Sequence, residues 1–320
     1  MMPAFGNCIQ CDDPSERKDA PVLSIGLPVR NGQDSIERCI HSILSQDFAD
    51  YEIIVSDNAS SDATRDILKR LAQDDSRLKL HFNDADIGIL ENMNRVLLLA
   101  RGQFFRWISH DDWMEPGCIT ACIGALRARS DAVGVTTGFT IHTSEGSKRR
   151  ENYQGEFPTS RDAACRFERM LWFFHAGDGK YDPVYGTYRR DILLHTRRHG
   201  PCERSDWLLC AELALLAPII HLAAPLANRT RSYKPILDPK AIRRRLNPIH
   251  GERLRSTPLG LYRDLSSLVA ETDPPAPQLR RFRSALRRFL IKEVIRTGRS
   301  SLSTAKHQIV HKAQSAFSAF

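Results

Sequence analysis

Between Val22 and Ala128 the chain alternates β-rich runs with helix-period segments four times, and this alternation constrains the fold more than any other feature. "VLSIGLPV" (22–29), "YEIIVSD" (51–57), "RLKLHFN" (77–83) and "QFFRWIS" (103–109) read as strands. "SIERCIHSILSQ", "SSDATRDILKRLAQ", "GILENMNRVLLLA" and "PGCITACIGALRA" read as the helices between and after them. In the first helix Ile36, Cys39, Ile40, Ile43 and Leu44 recur at helical spacing. Strand and helix joined by short links predict an α/β fold, a mostly parallel sheet with helices on both faces.

Open sheets of this kind bind ligands beyond the carboxyl ends of their strands. Three such ends carry distinctive residues: Pro28 to Gly32, Asp57-Asn58 and Asp111-Asp112. Asp57 could accept hydrogen bonds from a nucleobase or a ribose. "SDNASSDAT" is also rich in turn formers, so a local turn is an equal reading. Asp111 and Asp112 are adjacent like charges after an apolar run, and something must offset them. A divalent cation of the Mg²⁺ or Mn²⁺ type would do so. A solvated pair capping the next helix is the plainer alternative. No G-x-G-x-x-G follows the first strand and no G-x-x-x-x-G-K-[ST] occurs, which disfavours a dinucleotide site and a P-loop.

The bulk numbers fit an enzyme-sized soluble chain. It has 320 residues, 42% hydrophobic and 26% charged. No apolar run approaches the ~20 residues that span a bilayer. "MMPAFGNCIQCDDPSERKDA" lacks the basic start and apolar centre of a signal peptide, so a cytoplasmic location is expected. The eight cysteines lie mostly in apolar or helical segments, as reduced buried thiols do, and Cys8-x-x-Cys11 stands alone in a polar leader. The net charge of +8 is uneven: residues 240–320 hold 17 Lys/Arg against 5 Asp/Glu. That excess suits an acidic partner surface.

The stretch "LSIGLPVRNGQDSIERCIHSILSQDFADYEIIVSDNASSDAT", continued by "DIGILENMNRVLLLARGQFFRWISHDDW", resembles the opening of family 2 glycosyltransferases, which have the GT-A fold. The resemblance is close over 21–130 and looser over 180–235. It implies inverting transfer of a sugar from a nucleotide diphosphate donor, UDP or dTDP, to a sugar or lipid-linked acceptor hydroxyl. It also implies cell-surface polysaccharide or glycoconjugate synthesis. By this resemblance Pro28, Arg30, Asn31 and Asp57 line the nucleoside pocket, Asn58 shapes its turn, and Asn94 faces the donor. Asp111 and Asp112 match the metal-binding D-x-D element in an x-D-D form, with Mg²⁺ or Mn²⁺ mainly on Asp112. The general base is an acidic residue late in the chain; Asp206 in "CERSDWLLCAEL" fits, with Glu203 and Asp178 in reserve. Gly186, Tyr188 and Arg189 in "DPVYGTYRRDIL" border the acceptor side, and Arg229 and Arg231 in "NRTRSYKP" suit a loop over the diphosphate.

The expected organisation is a leader (1–20), a donor-binding half (21–130), an acceptor-binding half (131–235) and a basic helical region (236–320). In "PQLRRFRSALRRFLIKEVIR" (277–296), Leu279, Phe282, Leu286, Phe289, Leu290, Ile291 and Val294 are expected to share an apolar face, with arginines opposite. Such a helix can dock on its own domain or make a peripheral contact with the inner membrane face. Aromatic platforms and reading motifs are absent from the basic region, so no nucleic-acid partner is expected. Two alternatives remain: a nucleotidyltransferase, which needs a Gly-rich basic loop that "PVRNGQD" hardly supplies, and a non-catalytic nucleotide-sugar or membrane-binding protein.

Overall fold

The computed structural model describes residues 20–143, 145–150, 158–175, 183–231, 239–249, 251, 254 and 257–317, with side chains described to 298 but not at 231 or 239. Cys8, Cys11 and Asp178 lie outside the described residues. The chain divides into two compact units, Met1–Arg255 and Ser256–Phe320.

The first unit opens with the expected alternation: β1 (Leu23–Val29), α1 (Ile36–Leu44), β2 (Tyr51–Asp57), α2 (Thr64–Asp74), β3 (Leu78–Phe82), α3 (Ile89–Leu99) and β4 (Phe104–Trp107). A two-residue β5 (Trp113–Met114), α4 (Cys118–Ala128), β6 (Gly134–Thr143) and β7 (Lys148–Arg150) follow. Then come α5 (Ala163–Phe173), a 3₁₀ turn (Pro183–Tyr185), β8 (Thr187–Arg189), α6 (Arg190–His195), α7 (Ser205–Leu216), β9 (Ile219–Arg231) and α8 (Pro239–Leu246). Among the described residues the strands form one sheet in the order β3-β2-β1-β4-β8-β6-β9-β5, with β7 on β6. β1 pairs in parallel with both β2 and β4, and β2 with β3. β8 then runs antiparallel to β4 and to β6. The sheet is therefore mixed: parallel where the sequence alternates, antiparallel around β8, β7 and β5, and parallel again between β6 and β9.

Side-chain alternation explains the two layers. Leu23, Ile25 and Leu27 of β1, with Ile53 and Val55 of β2, pack on one face against Ile36, Ile40 and Ile43 of α1, Leu68 of α2 and Ile119 and Ile123 of α4. Ile54, Phe105 and Trp107 point the other way, into a core with Val96 and Leu97 of α3, Met170 of α5 and Leu209 and Leu213 of α7. Strands buried on both faces read as unbroken apolar runs, which is why β1 and β2 are so legible in the sequence. Gly26 sits on the second face. A Cβ there would lie 2.5 Å from the Phe105 ring and 2.7 Å from Val96, so the missing side chain lets α3 close on the sheet.

His199 is enclosed in this second core at 4% exposure. Its ring meets Trp107 edge-on with centroids 5.3 Å apart, and Nδ1 lies 3.2 Å from Ser205 Oγ. Burial lowers its pKa to about 4.

The second unit consists of α9 (Pro258–Glu271) and α10 (Ala276–Phe317), which pack on each other. Thr257 caps α9, its Oγ1 accepting from the Gly260 N–H at 3.0 Å. α9 buries Leu261, Leu265, Leu268 and Val269; α10 buries Phe282, Ala285, Leu286, Phe289 and Glu293. The single apolar face expected for 277–296 is not formed. Ile291 and Val294 are 60% and 52% exposed. Nine residues from Phe282 to Ile291 is about two and a half helical turns, which puts Ile291 on the opposite side.

Two outcomes follow from this packing. Gly26→Ala should destabilise the fold by about 1–3 kcal/mol through overpacking, read as a lower urea midpoint; an unchanged midpoint would refute the close approach of α3. The neutral His199 gives a pH signature with a definite sign. Below pH 6.5 the unfolded ring takes a proton that the folded ring refuses, so stability falls as pH drops towards 4. The loss is on the order of 3 kcal/mol by pH 4, and His199→Gln should remove that part of the slope. Identical pH profiles of unfolding in the two proteins would contradict a buried neutral ring.

Candidate functional site

Parallel register brings the distinctive residues to one edge of the sheet. Val29 pairs with Asp57 at the ends of β1 and β2, and Gly26 with Trp107 at the end of β4. The chain leaves each strand there, into Arg30-Asn31, Asn58-Ala59 and the loop carrying Asp111 and Asp112.

Asp57 is fully buried. Its Oδ1 accepts from Arg65 Nε at 2.5 Å and from the Ser60 N–H at 3.2 Å. Arg65, in the first turn of α2, also donates to the Asn83 carbonyl at 2.7 Å, so it is held from two sides. Asp57 Oδ2 is buried and no donor reaches it among the described residues. A buried carboxylate oxygen left unpaired is costly, and such an atom at a ligand-facing edge is an acceptor awaiting a donor.

The turn around Asp57 is a hydrogen-bonded block. Asn58 donates its backbone N–H to the Val29 carbonyl at 2.8 Å and its side-chain amide to Asp86 Oδ1 at 2.6 Å. Asn58 Oδ1 accepts from the Ile87 N–H at 2.9 Å and from Asn83 Nδ2 at 3.2 Å. Arg30 reaches the same Asp86 at 2.6 Å. Asn31, at φ 53°, donates its N–H to Ser60 Oγ and accepts the Ser61 N–H, each at 2.9 Å. Asn tolerates this left-handed backbone better than most residues. Pro28 is half-buried beside Ser56. Pro28, Arg30, Asn31, Asp57 and Asn58 thus form one neighbourhood, supported by Arg65, Asn83 and Asp86.

The aspartate pair forms a second neighbourhood, joined to the first. Ser35 Oγ lies 2.9 Å from His110 Nδ1, and Gly32 leaves the room: a Cβ there would sit 2.9 Å from the same nitrogen. Ser109 Oγ donates to Asp111 Oδ1 at 2.5 Å. The Thr230 N–H donates to Asp112 Oδ1 at 3.1 Å, and Thr230 Oγ1 to the Asp111 carbonyl at 2.7 Å. Arg38 of α1 donates to that carbonyl at 2.9 Å while its guanidinium lies 4.0 Å over the Trp113 ring. Arg38 thus brings a cation to the loop that carries the two carboxylates. Their field is still felt nearby: burial, reinforced by Asp112 and then Asp111, pushes the Cys39 thiol well above its ordinary range.

The residues fit a hard divalent cation in one respect and need help in another. Asp111 and Asp112 offer oxygen ligands, as Mg²⁺ and Mn²⁺ require. No group of three or more His, Cys, Asp or Glu is arranged to hold a metal among the described residues. A cation here would complete its shell with substrate phosphate oxygens and water, the usual Mg²⁺ arrangement.

Asp206 stands half-exposed in the first turn of α7. The preceding residue, Ser205, joins the start of that helix through His199 to Trp107 at the end of β4. Trp207 stacks on Phe174 at 4.6 Å, with the Arg204 guanidinium 4.5 Å over its ring. Glu203 is ion-paired with Arg243 at 2.5 Å. Asn94 uses both ends of its amide on the backbone of His199, donating to its carbonyl at 2.9 Å and accepting its N–H at 3.0 Å.

The residues expected on the acceptor side are deeply built in. Tyr188 is fully buried and donates to the Pro183 carbonyl. Arg189 is 8% exposed and donates to the carbonyls of Ala132 and Leu126, each at 2.9 Å. Gly186 packs under the Tyr188 ring, with the Val135 carbonyl 2.8 Å from where a Cβ would be. Arg229 lies between Phe139 and Tyr185, 4.8 and 4.4 Å from their ring centres. Arg231 ends β9 opposite Thr143. Sequence reasoning missed Arg38, Arg65, Asp86 and Thr230. Only Arg65 left a trace, as a cation eight residues after Asp57 at the start of a helix.

Comparison with known proteins bears on the family and the fold. The profile described as "Glycosyl transferase family 2" matches residues 24–192, from β1 into α6. A Campylobacter jejuni protein named GalNAc(5)-diNAcBac-PP-undecaprenol beta-1,3-glucosyltransferase is 40% identical over 101 residues, covering 31% of this chain and 33% of its own length. The Bacillus subtilis protein TuaG, named a putative teichuronic acid biosynthesis glycosyltransferase, is 28% identical over 127 residues, covering 40% and 50%. The chain thus spans a third to a half of the length of these relatives. The crystal structure of S. aureus TarS 1–349 in complex with UDP-GlcNAc superimposes with a TM-score of 0.61 at 16% identity, covering 84% of this chain and 71% of that one. At that identity the likeness speaks for the fold, which is the GT-A-like class read from the sequence. With more than half of its residues matched by the family profile, the chain belongs to glycosyl transferase family 2.

Proposed function

We propose that the protein is an inverting, metal-dependent glycosyltransferase that moves a sugar from a nucleoside diphosphate to an acceptor hydroxyl in polysaccharide or glycoconjugate assembly. The observation that carries the reading is Asp57 Oδ2, a buried acceptor without a donor at the ligand-facing edge of the sheet. The N3–H of a uracil or thymine ring supplies one donor in that geometry, so UDP- and dTDP-sugars are the favoured donors. Arg65 holds Asp57 in place through Oδ1 while Oδ2 faces the base.

Asp111 and Asp112 hold the Mg²⁺ or Mn²⁺, with Thr230 and Arg38 fixing the loop that carries them. The metal, when bound, neutralises charge on the departing diphosphate. Asp206 removes the acceptor proton as the acceptor oxygen bonds to the anomeric carbon and the bond to the diphosphate oxygen breaks, which inverts that carbon. Undecaprenol-linked sugar is named for one relative, and a sugar or lipid-linked acceptor is the class we assign here. No helix among the described residues is long and apolar enough to cross a membrane. We place the reaction in the cytoplasm, at its membrane face when the acceptor is lipid-linked.

The test is release of nucleoside diphosphate from a panel of nucleotide sugars with each acceptor class, with Mn²⁺ and with chelator. Turnover of one donor should require metal and vanish in Asp112→Ala. Asp57→Asn should weaken UDP binding by about tenfold or more in calorimetry, the worth of one charged hydrogen bond. Asp206→Asn should lower kcat by about 10²–10⁴ and leave UDP binding intact. Absence of metal-dependent binding to UDP, dTDP and GDP alike would overturn the site; full activity of Asp206→Asn would overturn its role as the base.

A further inference from the structure

We propose that the outward stripe of α10 is a docking surface for anionic lipid headgroups, with arginines contacting phosphates and three aliphatic side chains entering the interface. The stripe is a product of the packing rather than of the apolar pattern as such. Phe282, Leu286, Phe289 and Glu293 turn inward. Arg280, Arg283, Arg287, Ile291 and Val294 then follow one another at intervals of three and four residues on the opposite side, all exposed, with Ile295 beside them. Their charge does not vary along the stripe: it is basic first and aliphatic after.

Two observations commit this face to a membrane. The first is charge. From Ala276 to the end of the chain there are ten Lys/Arg and one acidic residue, Glu293. Glu293 is 1% exposed and already paired with Arg296 at 2.7 Å, so no acidic side chain faces outward between 276 and 298. A surface this one-sided is complementary to anionic lipid and repels a second copy of itself. The second is exposed aliphatic area. Ile291, Val294 and Ile295 are 60%, 52% and 50% exposed within five residues. A solvated helix face carries such residues singly, whereas an interfacial helix carries them together beside its cations. Arginine stems can lie along the apolar boundary while their heads reach the phosphates. α10 extends to Phe317, and its sequence beyond 298 holds three further Lys/Arg and no acid.

This inference does not rest on the catalytic reading, and its test reads binding alone. The full chain would be sedimented with vesicles of phosphatidylcholine and with vesicles containing phosphatidylglycerol. Wild type should bind only the second, and raised salt should release it. Arg283→Gln with Arg287→Gln should weaken that binding about thirtyfold, at the usual worth of a cation near an anionic surface. Ile291→Ser, Val294→Ser and Ile295→Ser together should abolish the binding that survives moderate salt. All these positions are exposed, so helicity and nucleotide-sugar turnover in solution should stay at wild-type values. Wild type that ignores anionic vesicles, or variants that bind as wild type does, would overturn the proposal. A dimer in gel filtration that falls apart in the triple serine variant would overturn it too, and would give the face to a second copy.

Discussion

The placement of β1 between β2 and β4 in parallel register is the constraint on which the site depends. It brings Val29, Asp57 and Trp107 to the same edge, so three loops that are distant in sequence emerge side by side. Parallel pairing forces each connection to cross a face of the sheet through a helix. Those helices are not neutral spacers. α1 delivers Arg38 and Ser35 to the aspartate loop, and α2 delivers Arg65 to Asp57. α3 delivers Asn94 to the loop ahead of α7. The crossovers that close the core therefore also supply the supports of the site.

The supports differ in kind from the residues they hold. Asp57 keeps one oxygen paired with Arg65 and one without a donor among the described residues. The aspartate pair is steadied through carbonyls and backbone N–H groups as well as through carboxylates. Each carboxylate accepts a hydrogen bond at its Oδ1, Asp111 from Ser109 Oγ and Asp112 from the Thr230 N–H, so the loop is fixed in part through the carboxylates themselves. His199 is kept neutral by burial, so the start of α7 is joined to the sheet without adding a charge near Asp206.

Much of the fold could be read in the sequence because buried parallel strands are written as apolar runs and their helices at helical period. Asp57, Asn58, Asp111 and Asp112 were visible because strand ends are marked by the chain itself. Arg38, Asp86 and Thr230 were not. Each lies on an exposed or half-exposed position whose composition is ordinary, and its meaning comes from what the fold sets against it. Asn94 shows a further gap, since a helix-face amide reads the same whether it meets a ligand or a neighbouring backbone. The apolar residues of α10 were grouped by their chemistry, whereas the helix sorts them by angle, and at Ile291 the two disagree.

The bond from the Thr230 N–H to Asp112 spans 118 residues of chain. β9 joins the sheet beside β6 and pairs antiparallel with the short β5, which directly follows the aspartates. Contacts of such separation form late, after the local strand–helix units have condensed, because loop closure must precede them. A nascent chain that has emerged only as far as α4 carries Asp57 and both aspartates of the loop but not the strand that steadies that loop. The fixing of the aspartate loop is thus timed to the completion of the first unit, and a half-made chain lacks it.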